Sequence, residues 1–140
     1  MQFTLTDAPE DTILKAIADG LTAFNEDDVG PSARRPLVVS ITDDDGKILG
    51  GMSGYTAWGW LYIQWLWLDE PLRGQKLAGR LLQMAEAEAV KRGCQAAFID
   101  TFNPIALKAY ERQGYAVFGE LPEFPKGRTR SFLKKILPPA

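Results

Sequence analysis

Residues 66–82 read LWLDEPLRGQKLAGRLL. Strand-favouring residues run into Pro71, Arg73 and Gly74, and from Leu77 the apolar positions Leu77, Leu81, Ala85 and Ala89 recur at helical spacing until Gly93. The spacing predicts strand, turn and then a helix over 77–92. The first amides of such a helix have no intrahelical acceptor and point back toward the strand end, where the helix dipole favours negative charge. That describes an anion site of diphosphate size. An ordinary strand-to-helix turn, with Gly present for its conformation, fits the same residues.

Working outward, the strand entering this turn is predicted to start at Trp58 or Trp60 and end at Leu68. Both of its alternating sets are apolar, with Leu61, Ile63, Trp65 and Trp67 against Trp60, Tyr62, Leu66 and Leu68, which predicts helices on both faces of the sheet. Gln64 is the polar exception. Upstream, 37–42 and 47–55 form a predicted hairpin about a turn at 43–46. Residues 25–36 read as a polar loop, and a helix capped by Asp11 or Thr12 carries Ile13, Leu14, Ile17, Ala18, Leu21 and Phe24 at helical spacing. Residues 2–5 suggest a short first strand. Downstream come a buried strand at 96–100, a helix from Asn103 to Gln113 with Pro104 in its first turn, and a closing hairpin of 115–121 and 129–136. The expected fold is α/β: one domain over 1–140, with a mixed central sheet of six to seven strands and helices on both faces.

With 140 residues, 46% of them apolar, the chain can build one core. A net charge of −2 argues against a nucleic-acid partner. Cys94 is the only cysteine, which excludes an internal disulfide and fits a cytoplasmic location. No stretch reads as a signal peptide or membrane span. The chain has no histidine, which removes Ser-His-Asp, Cys-His and zinc chemistry, and no metal is expected.

In NPIALKAYERQGY, residues 103–115, Asn103 and Tyr110 lie two helical turns apart and share a face with Ala106 and Leu107. Taken alone, Asn103 is a helix cap and Tyr110 a core aromatic with its hydroxyl at the rim. Together with the first segment, the chain resembles the GCN5-related N-acetyltransferases. That family carries Arg or Gln, two variable residues, Gly, one residue, then Gly or Ala, at the turn receiving the pyrophosphate of acetyl-coenzyme A. Here the turn is Arg73, Gly74, Gln75, Lys76, Leu77 and Ala78, followed by Gly79, with Lys76 in the usual Gly position. The second signature appears as Asn103, Ala106, Tyr110, Glu111, Gly114 and Tyr115.

The resemblance implies an enzyme that moves an acetyl group from acetyl-coenzyme A to a small-molecule or peptide amine by direct attack. The backbone of Leu66, Trp67 and Leu68 would pair with the pantetheine arm. Amides of the turn, Gly74 through Gly79, would hold the diphosphate, Asn103 would contact pantetheine or a water, and Tyr110 would give a proton to the departing thiolate. A phenol is suited to that role, since its pKa of about 10 lies near that of a thiol at about 8.5. The base is open among Asp100, Glu26, Asp27, Asp28 and a water chain. Cys94 has no His to activate it and is not expected to be a nucleophile. Lys76, which either crowds the diphosphate or adds charge beside it, leaves a second class standing: a non-catalytic sensor of acyl-coenzyme A.

Other features have two readings each. Trp65 and Trp67 are expected to pack in the sheet, while Trp58 and Trp60 either pack or wall an acceptor pocket. Lys126, Arg128, Arg130, Arg34 and Arg35 are either solvated or favour an acidic acceptor. A homodimer through a sheet edge or the final hairpin is compatible with the sequence.

Overall fold

The computed structural model describes all 140 residues, which divide into two compact units, Met1–Ser32 and Ala33–Ala140. In the first, helix α1 (Asp11–Val29) begins after Glu10 rather than at a capping Asp11 or Thr12. Asp11 instead stands in the first turn, where its charge suits the dipole. The helix runs through the polar residues expected to be loop, because Asn25, Glu26, Asp27 and Asp28 are tolerated on a solvated helix, and it stops only at Gly30 (φ 91°). Residues 2–5 form no strand, since none of the sheet's six strands comes from this unit to pair with them.

The second unit is a six-stranded mixed sheet in the order β1-β2-β3-β4-β6-β5. Its strands are β1 (Arg35–Thr42), β2 (Ile48–Ala57), β3 (Trp60–Leu68), β4 (Ala96–Thr101), β5 (Ala116–Pro122) and β6 (Thr129–Ile136). All neighbours are antiparallel except β3 and β4, which are joined by the crossover helix α2 (Leu77–Lys91). Helix α3 (Pro104–Arg112) follows β4. Trp58 and Gly59 both take positive φ in the two-residue turn between β2 and β3, so β3 starts at Trp60.

Alternation decides which face is the core. Leu61 and Ile63 of β3 lie beside Ala97 and Ile99 of β4, and Leu133 of β6 lies beside Ile99. Together with Leu37 and Met52 they pack against Leu81, Leu82, Ala85 and Ala89 of α2 and Tyr110 of α3. Each fully buried aliphatic side chain here contributes about 1.5–3 kcal/mol. Within this unit α2 and α3 therefore share one face. The other face carries Tyr55, Trp60, Tyr62 and Phe98, linked by ring contacts, together with Trp65 and Trp67. Trp65 is 68% exposed and Trp67 51%, contrary to the expectation that they pack in the sheet, because no helix of this unit covers that side.

Polar clamps fix the helix ends. Arg92, just after α2, donates to Glu88 and to Thr56 Oγ1 and the Pro36 carbonyl, tying α2 to β1 and β2. Beneath the core, the Tyr115 hydroxyl donates to Glu86 at 2.9 Å while Lys135 pairs with the same carboxylate at 2.6 Å.

Candidate active site

The sheet splits at its centre. β3 and β4 pair in parallel only through 60–63 and 96–99. Beyond that point residues 65–68 pair with β2 alone, and Asp100 and Thr101 pair with β6 alone. Each of the two facing backbones thus keeps an edge with no strand across the gap. The split coincides with a bulge: Ser53 faces Trp65 while Gly54 faces Ile63, leaving Gln64 without a partner. Gly54 is required at this crossing, since a Cβ there would fall 1.9 Å from the Tyr62 carbonyl oxygen.

At the open end of β3 the chain turns through a short 3-10 segment (Glu70–Leu72) into α2. Arg73 Nε donates back to the Leu68 carbonyl at 3.1 Å, and the Gln75 side-chain amide donates to the Pro71 carbonyl at 2.8 Å. Gly74 takes φ 78°, and Lys76 takes the left-handed conformation (φ 61°) as the residue before α2. Lys76 thus adopts a backbone that glycine reaches at no cost, and its side chain is exposed rather than folded into the turn. No side chain caps the first amides of α2. Leu77 and Ala78 are half-buried there, and Gly79 is buried where α2 passes Gln113.

Across the gap, Asn103 caps α3 by accepting from the amides of Ile105 (2.9 Å) and Ala106 (3.1 Å). Its carbonyl oxygen is committed to the helix, and its NH2 group is left for other partners. Tyr110 is 5% exposed, and burial first and the Asp100 charge second push its phenol up to about 12. Asp100 also raises the Tyr62 phenol, after burial, by charge and by hydrogen bonding. Asp100 at the end of β4 therefore lies in electrostatic reach of two tyrosines from opposite sides of the sheet. Cys94 is buried and burial pushes its thiol up, the reverse of what activates a nucleophile.

Leu66, Trp67 and Leu68 lie on the free edge of β3, the turn at 73–79 leads from that strand into α2, and Asn103 and Tyr110 stand at the start and within α3, which follows β4. Trp58 and Trp60 stand at the other end of β3, where Trp60 meets Phe98 edge-on, so they do not wall this gap. Glu26, Asp27 and Asp28 belong to the first unit, on α1. Sequence reasoning missed Tyr62, whose signal was only one more aromatic in an apolar strand. It also missed the pairing of Arg130 with Asp100, which sequence distance hides.

Residues 7–115 match the acetyltransferase (GNAT) family. The acetyltransferase Atu2258 of Agrobacterium fabrum is 46% identical over 135 residues, covering 96% of this chain and 98% of that protein. Blasticidin-S acetyltransferase of Streptomyces morookaense is 36% identical over 107 residues, covering 74% and 79%. A crystal structure of an acetyltransferase-family protein from Agrobacterium tumefaciens superposes with a TM-score of 0.94 at 45% identity, covering 98% of this chain and all of that one. The chain belongs to the GNAT family and is an acetyltransferase.

Proposed function

We propose that the protein transfers the acetyl group of acetyl-coenzyme A to the amine of a small molecule, within one acetyltransferase domain spanning 1–140. The observation that carries this reading is the split between β3 and β4, with an unpaired strand edge on one side, an uncapped helix start after that strand and a deeply buried phenol on the helix that follows β4. The edge of Leu66, Trp67 and Leu68 would add the pantetheine arm as an extra strand, one amide polarising the thioester carbonyl. Arg73, Gly74, Gln75, Lys76, Leu77, Ala78 and Gly79 would cradle the diphosphate. The exposure of Lys76 supports an added positive charge there rather than a plug. The Asn103 NH2 group would reach the pantetheine or a water.

In this reading the acceptor ammonium loses a proton, its nitrogen attacks the thioester carbonyl carbon, and the carbon–sulfur bond breaks. The nitrogen sheds a second proton as the amide forms, and the thiolate leaves as thiol. Tyr110 stays protonated at neutral pH because its phenol is pushed up to about 12. It serves best as a hydrogen-bond donor to sulfur as negative charge develops there, since full transfer from so weak an acid to a thiolate is uphill. Amine acceptors are supported by the relative that is named for acetylating blasticidin S. No helix is long and apolar enough to cross a membrane. The cytoplasmic assignment rests on the lone, buried, unpaired Cys94. A homodimer is supported by edge strand β5, which leaves Val117, Phe118 and Leu121 exposed.

Calorimetry with acetyl-coenzyme A followed by thiol release with a panel of amines tests the reading. Binding together with acceptor-dependent thiol release is expected. Binding with no release for any amine would leave a sensor of acyl-coenzyme A instead of an enzyme.

A further inference from the structure

Beyond the end of β4, on the sheet face away from α2 and α3, the β5–β6 loop is fastened to the sheet. Phe124 donates to the Arg128 carbonyl at 3.1 Å, Arg128 N–H donates to the Pro125 carbonyl at 2.9 Å, and the Arg128 guanidinium donates to the Phe102 carbonyl at 3.2 Å. This brings two phenyl rings against one cation: the Arg130 guanidinium carbon lies 4.2 Å from the Phe124 ring centre and 5.4 Å from that of Phe102. Rings at these distances hold the guanidinium by cation–π attraction.

The N–H edge of Arg130 is incompletely used. The Arg130 Nε atom is buried without any hydrogen-bond partner, and its Nη1 approaches Asp100 Oδ1 only at 3.9 Å, too far for a direct hydrogen bond. Buried donors are almost always paired in folded proteins, and an unpaired one asks for an acceptor. The Arg130 side chain keeps 28% of its surface exposed, and paired guanidinium N–H groups match the two oxygens of a carboxylate. Asp100, one ion-pair distance away, supplies the opposite charge, which also acts on the phenols of Tyr62 and Tyr110.

We propose that Arg130, held beside Phe102 and Phe124, binds a carboxylate on the acceptor while Asp100 receives its ammonium, so that the acceptor is a small amino acid. The inference rests on the acetyl-transfer reading for its reaction but not for its binding. An ammonium and a carboxylate separated by the few bonds of an amino acid bridge the two side chains. Neutral or purely basic amines would leave the Arg130 edge unfilled.

Binding of each common L-amino acid and of its matched carboxamide, measured by calorimetry on the full chain preloaded with coenzyme A, tests this without requiring turnover. At least one amino acid is expected to bind roughly tenfold or more tightly than its carboxamide, the gain typical of one good charge-assisted contact. Arg130→Gln is expected to remove that preference while leaving the carboxamide's affinity within about twofold. Arg130→Lys, which keeps the charge and loses the fork, is expected to retain only part of it. In thiol release the loss should fall on KM for the amino acid, with kcat nearly unchanged. Equal affinity for every matched pair in the wild type, or an equal loss for both members of a pair in both variants, would overturn the proposal. Carboxylate-dependent binding with no thiol release would instead count against acetyl transfer and leave the carboxylate site standing.

Discussion

In the proposed reaction Tyr110 contributes one hydroxyl, buried against the core cluster and sensitive to the Asp100 charge. Tyr110→Phe keeps the ring and loses the hydrogen-bond donor, so turnover should fall by about 10² to 10³ with little change in stability near neutral pH. Unchanged turnover would reduce Tyr110 to a packed aromatic. The same residue sets an alkaline limit. Its phenol is pushed from 10.0 up to about 12 in the fold, so its contribution to stability is complete below about pH 10 and is lost as pH rises toward 12. A shift of that size corresponds to about 2–3 kcal/mol. Denaturant titrations at rising pH should show stability falling over that window, and Tyr110→Phe should flatten part of the fall. An unchanged slope in the variant would place the titration elsewhere, for example at Tyr115, whose phenol is raised by burial and by Glu86. That Asn103 caps and Tyr110 lies within one helix was legible in the sequence because their spacing is local. Arg130 beside Asp100 was not, because that contact forms only when β6 is laid against β4.

At the scale of elements, the split depends on how β2 crosses β3. Gly54 has no room for a Cβ at 1.9 Å from a backbone oxygen, so Gly54→Ala must push the strands apart at the bulge. A loss of about 1–3 kcal/mol is expected from such overpacking. The midpoint of urea denaturation measures it, and an unchanged midpoint would mean the bulge yields freely. The strand–turn–helix unit was readable from residues 66–82 because Pro, Gly and helical periodicity are local signals. The exposure of Trp65 and Trp67 was not, since an apolar alternating strand looks the same whether one face or both are covered within its own unit. The end of α1 was misplaced for a related reason: acidic and amide residues read as loop, yet they continue a helix until a glycine stops it.

For the whole molecule, the strand order leaves β1 and β5 as edges, and β5 is the apolar, exposed one. Pairing of β5 with its copy would give a two-fold dimer of 15.5 kDa chains. Light scattering should report the dimer mass, and Val117→Lys should shift it toward the monomer. A wild-type monomer at working concentration would exclude that assembly. In the proposed function the free edge of β3 and the start of α2 form one coenzyme A cradle. Amide hydrogen exchange with and without coenzyme A tests it most directly. Slower exchange is expected at residues 66–68 and 74–79. Protection confined to other segments, or none on saturation, would contradict it.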